Sequence, residues 1–242
     1  MRCLASLLAT VALSGCGSAA PAQLPASAGP PPSPPLKTAP AGEVADGRQV
    51  IEDTVVDGAR TYSVDRDADR LDLAAGATTK SQRTCREPVA LAMVDHSAQV
   101  AVVCDRERAL DLYDASTLQR LGRAGAGIGP TDVATDDGHL LYVTDAPGDA
   151  LLVYRLKPLQ LIRRVHVAGG PYAIAYDRER DGLWIALAGA NELVEYAAGS
   201  RPVLRQTLPS IRNARAVSVD ANEVTVFGQD QRQVLRLHAV AK

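Results

Sequence analysis

The chain repeats itself with a period of about 42 residues, and that period constrains the fold more than any other feature of the sequence. Pro88, Pro130 and Pro171 stand 42 and 41 residues apart, and Ala214 takes the equivalent place 43 residues further on. Each opens a short β-rich stretch: Pro88-Val89-Ala90-Leu91-Ala92, Pro130-Thr131-Asp132-Val133-Ala134, Pro171-Tyr172-Ala173-Ile174-Ala175 and Ala214-Arg215-Ala216-Val217-Ser218. An acidic turn follows each, at Asp95, Asp136, Asp177 and Asp220. A second set of landmarks, Tyr113, Tyr154, Tyr196 and Leu237, keeps the same beat at 41, 42 and 41 residues. Within a unit the pattern alternates with period two, as in Ala109-Leu110-Asp111-Leu112-Tyr113, and turn residues punctuate it every eight to twelve positions. Beyond the first sixteen residues no run of ten or more carries a 3.6-residue apolar period, so helix is expected to be nearly absent. Four short strands in each such unit form the blade of a β-propeller, whose sheets bury their faces against one another. Units begin near 48, 86, 129, 171 and 213. The sequence therefore predicts an all-β chain, with about five four-stranded blades over residues 44–242.

One unit carries a family signature. Gly129-Pro130 to Gly170, with Tyr142-Val143-Thr144-Asp145 inside it, resembles the YVTN repeat of bacterial extracytoplasmic propellers. Val102-Val103-Cys104-Asp105 and Trp184-Ile185-Ala186-Leu187 stand at the equivalent place in neighbouring units, so the resemblance spans roughly residues 86–242. It implies a fold more than an activity, because this repeat serves proteins of very different work. YVTN propellers usually have more than five blades, which makes this one a small ring or an incomplete one. The first unit reads as Val50 to Val56, a hairpin turn at Asp57-Gly58, Ala59 to Val64, Arg70 to Ala74 and a last strand near Lys80 to Cys85. The fifth lacks an outer strand after Val234 to Ala239, so residues near Val44 complete it or it stays three-stranded. An open ring would bare two blade faces and favour a homodimer.

The N-terminus reads as an address. Met1-Arg2 and the apolar run from Leu4 to Leu13 form a secretory leader too short to span a bilayer of about 30 Å. Leu13-Ser14-Gly15-Cys16 is similar to the lipobox of bacterial lipoproteins, which implies cleavage after Gly15 and acyl chains, palmitate among them, on Cys16. Two or three chains on one residue hold a protein stably at a membrane. Residues 1–15 are thus a signal peptide and 16–43 a lipidated cysteine with a Pro/Ala-rich linker. Eight of the 15 prolines lie between Pro21 and Pro40, a composition that favours an extended, disordered tether. Fully extended, it would reach on the order of 80 Å. The stretch Pro31-Pro32-Ser33-Pro34 also has the shape of a ligand for a proline-recognising module.

Charge and cysteines narrow the partners. With 26 Lys and Arg against 28 Asp and Glu there is no basic excess to neutralise a phosphate backbone, and 4% aromatics offer no stacking platform, so nucleic acid is excluded. Outside the cytoplasm Cys85 and Cys104 are expected to pair, since Cys3 leaves with the leader and Cys16 takes the lipid. The alternative is two buried thiols.

Ligand chemistry is expected on the face formed by the inter-blade loops. Candidates there are Arg86, Glu87, Asp132, Tyr172, Arg212, Asn213 and Arg215, surrounded by Asp105, Arg106, Asp145, Asp149, Asn191 and Asp230. Aspartates at such turns also satisfy nearby backbone N–H groups, which competes with a ligand role. No nucleophile elbow, His-Glu-x-x-His, P-loop or haem-attachment motif occurs, and Gly125-Ala126-Gly127-Ile128-Gly129 precedes no helix. His96 and His139 fall in turns of the opposite face, and His166 and His238 near outer strands. The reading is a non-catalytic binding or scaffolding module without cofactor, lipid-anchored outside the cytoplasm to the bacterial cell membrane or outer membrane, with a protein or peptide partner in the envelope. One alternative is a lactonase-like hydrolase or lyase holding a divalent metal on Glu87, Asp132 and Asn213. Another is a sensor or an accessory to a redox enzyme.

Overall fold

The computed structural model describes residues 32–47, 54–94, 98–136 and 139–237. Strand β1 (Glu43–Asp46) precedes four complete blades. Blade 1 comprises β2 (Thr54–Asp57), β3 (Arg60–Asp65), β4 (Arg70–Ala75) and β5 (Thr78–Arg83). Blade 2 comprises β6 (Pro88–Val94), β7 (Gln99–Cys104), β8 (Ala109–Asp114) and β9 (Arg120–Gly125). Blade 3 follows with β10 (Pro130–Thr135), β11 (Leu140–Asp145), β12 (Ala150–Leu156) and β13 (Leu159–His166). Blade 4 has β14 (Pro171–Asp177), β15 (Gly182–Leu187), β16 (Glu192–Ala197) and β17 (Val203–Pro209). Blade 5 has β18 (Ala216–Asp220), β19 (Glu223–Phe227) and β20 (Gln231–Arg236), and β1 is its fourth strand. All five sheets are antiparallel; four are meanders in order from the inside outward, the fifth runs β18-β19-β20-β1, and no helix occurs among the described residues.

Repetition in the sequence becomes repetition in the backbone. Pro88, Pro130 and Pro171 each begin an innermost strand, where a missing N–H costs no ladder bond, and a register shift follows each one at the same place. The first unit's outer strand is Thr78–Arg83, two residues earlier than the sequence suggested, which leaves Cys85 in the loop before blade 2. In blade 5 the inner strand starts at Ala216, two residues after the repeat position.

The N-terminal segment supplies the outer strand that blade 5 lacks. β1 pairs antiparallel with β20, Glu43 opposite Val234 and Asp46 opposite Gln231. Gly42 makes this possible: its φ is +74°, and a Cβ there would lie 2.2 Å from the Val234 carbonyl oxygen. The Gln233 amide, fully buried, donates to Ala41 O at 2.7 Å and to Pro209 O at 3.0 Å, so a side chain of β20 also holds the incoming chain.

Four apolar clusters join consecutive blades. Tyr62, Leu71 and Leu73 meet Val100 and Val102 between blades 1 and 2, and Leu110 and Leu112 meet Leu141, Val143 and Leu152 between blades 2 and 3. Tyr142, Leu151 and Val153 meet Ile174, Leu183 and Ile185 between blades 3 and 4, and Trp184 and Leu193 meet Val224, Val226 and Leu235 between blades 4 and 5. Complete burial of one such side chain contributes about 1.5–3 kcal/mol. Among the described residues no cluster of this kind fills the junction between blades 5 and 1. The faces turned outward there are polar, with Ser63, Asp72 and Ser81 in one row of blade 1 and Asp220, Glu223 and Arg236 in one row of blade 5. A linear array of repeats is capped in the same way. Among the described residues, the junction between blades 5 and 1 is thus the one without an apolar cluster.

Cys85 and Cys104 form a disulfide across 19 residues, buried in the cluster between blades 1 and 2, with Cα atoms 5.9 Å apart. A closed loop of this length contributes about 3 kcal/mol. A Cys85→Ser, Cys104→Ser variant should lose about that much in urea unfolding, and dithiothreitol should bring the parent to the variant's midpoint. Burial pushes the phenols of Tyr113, Tyr142 and Tyr154 above their ordinary 10.0. Folding therefore favours the protonated phenol, a contribution complete below pH 10 and lost as the pH climbs. In a spectrophotometric titration these tyrosines should stay un-ionised until the chain unfolds, whereas smooth titration of every tyrosine near pH 10 would contradict their burial.

Candidate functional site

Each junction between blades poses the same problem on the same face. The chain leaves an outer strand, crosses to the next blade's inner strand, and exposes backbone N–H groups that the ladders cannot satisfy. The first is met identically at all four junctions. Asp69, Arg108, Asp149 and Asn191, each at positive φ between the second and third strands of its blade, accept from Thr84, Ala126, Val167 and Ser210 through their backbone carbonyls at 2.7–2.8 Å.

The N–H three residues further on needs a side-chain acceptor, and that acceptor varies. Before blade 2, Asp69 Oδ1 accepts from Glu87 N at 2.8 Å. Before blade 4, Asp149 Oδ1 accepts from Gly170 N at 2.9 Å and Gly169 N at 3.1 Å. Arg108 has no acceptor to offer before blade 3, and Asp145, fully buried, takes over with Gly129 N at 2.9 Å and Ile128 N at 3.1 Å. A Cβ on Gly127 or Gly148 would lie 2.1 Å from Asp145 Oδ2, so the loop closes around this carboxylate only as glycine. The glycine-rich loop is accordingly an anion nest already filled by the protein's own aspartate.

Before blade 5 the acceptor comes from outside the repeat. Asn213 N donates to Ser33 Oγ at 2.7 Å, and the same hydroxyl donates to Ala188 O at 2.7 Å. Asn191 Nδ2 donates to Pro34 O at 2.8 Å and Arg212 Nη2 to Ser33 O at 3.2 Å. Ser33 is 7% exposed. Within residues 32–42, read from composition as part of a free tether, Ser33, Pro34 and Ala41 are therefore bonded to blades 4 and 5, while residues 35–39 stay exposed. The segment's prolines have no N–H to leave unsatisfied, and the Ser33, Pro34 and Ala41 carbonyls, free in an extended chain, find donors.

The sequence candidates fall into three groups rather than one ring. Glu87 pairs with Arg106 at 3.1 Å and Arg66 at 3.6 Å, Asp105 also meets Arg66 at 3.7 Å, and Arg86 reaches Glu107 at 3.4 Å. These half-exposed pairs span blades 1 and 2 and are each worth under about 1 kcal/mol. Asp132 bridges blades 3 and 4, its Oδ2 accepting from Ile174 N at 2.9 Å, and the Tyr172 carbonyl accepts from Thr131 Oγ1 at 2.7 Å. Arg212 and Asn213 hold Ser33, while Arg215 uses its N–H on Phe227 O and keeps an exposed side chain. The three donors of the metal alternative, Glu87, Asp132 and Asn213, take these separate partners, and no three Asp, Glu, His or Cys side chains among the described residues gather to hold an ion. Cys16, His96 and His238 lie outside the described residues.

Two residues carry more than the sequence suggested. Asp111, fully buried on β8, binds Arg123 in a fork at 2.6 and 2.8 Å and accepts from Tyr113 at 3.1 Å. Ser33 is the other: the sequence marked Pro31-Pro32-Ser33-Pro34 as a ligand-like stretch, and Asn191 stands where Asp69 and Asp149 stand in other units, but neither feature pointed to the other.

No protein-family model matches the chain, and no curated protein matches it. Solved structures share its fold. A chain of the mitotic checkpoint complex aligns with a TM-score of 0.69 at 10% identity, over 76% of this chain and 62% of that one. A functionally unknown protein from Desulfotomaculum acetoxidans aligns at 0.68 and 10% identity, over 77% and 65%. The computationally designed Ika8 protein aligns at 0.60 and 12% identity, over 76% and 57%. The chain thus spans less than two thirds of each, and the likeness is one of fold alone.

The junction hydrogen bonds predict an asymmetry under mutation. Asp145→Ala should lower unfolding free energy by about 2 kcal/mol by stranding buried N–H groups, and Glu87→Ala by under about 1 kcal/mol. Urea titration of the two variants checks the order.

Proposed function

We propose that this chain is a bacterial envelope lipoprotein whose YVTN-like propeller is a non-catalytic binding or scaffolding module. The observation that carries the reading is the employment of the polar groups on the inter-blade face. Carboxylates that would serve chemistry there accept backbone N–H groups or pair with arginines, as Asp132, Asp145, Asp149 and Glu87 do. What is left to a partner is a rigid surface of loops with exposed arginines, Arg86, Arg212 and Arg215 among them. Such a surface suits recognition of a protein or peptide in the envelope, without a cofactor. The disulfide is at home in an oxidising compartment, which supports the extracytoplasmic address.

The anchor rests on Leu13-Ser14-Gly15-Cys16. With Ser33 and Pro34 bonded to the blades, residues 17–31 connect Cys16 to the propeller, a reach of about 45 Å as polyproline II. The propeller is therefore held closer to the bilayer than the full proline-rich stretch would allow. In fractionated cells, Cys16→Ala should move the protein from membranes to the soluble fraction, and undiminished membrane retention would refute the anchor. A photo-reactive residue in place of Arg215 should give a discrete cross-linked partner that is lost in an Arg86→Ala, Arg212→Ala variant of unchanged urea midpoint. Loss of the adduct only together with stability would count against a binding face.

A further inference from the structure

At three junctions the acceptor for the inter-blade N–H belongs to a neighbouring blade; at the fourth it is Ser33, 180 residues away in sequence. We propose that the inter-blade face at blades 4 and 5 is a binding site for extended proline-rich segments bearing a serine between prolines, and that Pro32–Pro35 is its resident occupant. The inference deepens the binding-module reading and rests on it, supplying the class of partner and the way the site is kept closed.

The recognition chemistry is on view in the docked segment. Asn191 replaces the aspartate of the repeat and, unlike a carboxylate, offers a donor, which the Pro34 carbonyl receives at 2.8 Å. Arg212 donates to the Ser33 carbonyl, and the Ser33 hydroxyl both accepts from Asn213 N and donates to Ala188 O. Two carbonyls and one hydroxyl are thus read, at three successive polar positions of a chain with no competing N–H at Pro34 or Pro35. Polyproline II leaves those carbonyls unbonded and loses little conformational entropy on docking. Nothing in this set of contacts is specific to a segment of the same chain.

The resident segment fills the site incompletely. A cavity of about 600 Å³ remains between Leu36–Thr38 and the Asn191 and Pro209 edge of blade 4, Leu36 stays 42% exposed, and Asn191 Oδ1 is buried without a partner among the described residues. Its advantage is tethering, which supplies an effective concentration of about millimolar. A partner whose Pro-Ser-Pro segment also fills the cavity can displace it.

The test follows hydrogen exchange at Asn213 in the full-length chain in detergent, with a synthetic peptide of residues 30–38 as probe. In Ser33→Ala, exchange in the segment covering 211–215 should accelerate at least tenfold while β15 and β16 are unchanged. Excess peptide should restore the protection, and the same peptide with alanine for serine should not. In a second variant, Asn191→Asp, the repeat's carboxylate returns: Asn213 should stay protected while trypsin gains access to Lys37. Unchanged exchange at 211–215 in Ser33→Ala, or an opened site that the peptide fails to protect, overturns the proposal. Neither result bears on membrane release or on the Arg215 cross-link, so the module reading stands or falls separately.

Discussion

Everything in this propeller hangs on how the chain steps from one blade to the next without leaving a buried N–H unanswered. Apolar clusters supply most of the cohesion between sheets, but they are not directional and fix neither the angle nor the register of adjoining blades. Direction comes from the bonds at the junctions, where a residue at positive φ in one blade accepts the first N–H of the crossing and a side-chain oxygen accepts the fourth. Because the crossing loops are short, an acceptor displaced by a single residue is out of reach. That accounts for the recurrence of a residue at positive φ at Asp69, Arg108, Asp149 and Asn191, although its side chain varies from unit to unit.

The same device explains why the inter-blade face is poor in free acids. A carboxylate accepting two N–H groups from a closed loop, as Asp145 does, is a bond of the scaffold, and its removal is felt as lost stability before any loss of function. Interaction with the outside falls to side chains that no carboxylate of the repeat engages in a junction bond. These are the arginines around Glu87 and Glu107 on one side of the face, and the Asn191, Arg212 and Asn213 group on the other. The two lie on different blades, with the Asp132 bridge between them.

Spacing made the architecture legible. The 42-residue beat gives five units, and the strands fall where Pro88, Pro130 and Pro171 place them. Cys85 and Cys104 were predictable from compartment and neighbouring blades, and of the two endings left open for the fifth blade, completion near Val44 or three strands, the structure shows the first. Period-two alternation was less informative about exposure. In Ala109 to Tyr113 both faces are covered, so Asp111 is not a solvent residue but the buried half of an ion pair with Arg123. Composition misplaced the edge of the domain. Proline content signals an extended backbone, and an extended backbone is equally suited to swinging free or lying in a groove; the choice is made by donors more than 150 residues away. The grouping of the site residues was hidden for a related reason, since a period assigns each residue to its blade but not to its hydrogen-bond partner.

The docked N-terminal segment also sets the order in which this protein yields to a pull. Force arriving from the N-terminal side meets the few hydrogen bonds around Ser33 and Pro34 first, and only afterwards the β1–β20 ladder. The first set is short and peels one contact at a time. The second is a strand whose loss would bare the whole edge of blade 5. A pull from that side is thus borne first by single side-chain contacts on a short segment and only then by a continuous backbone ladder.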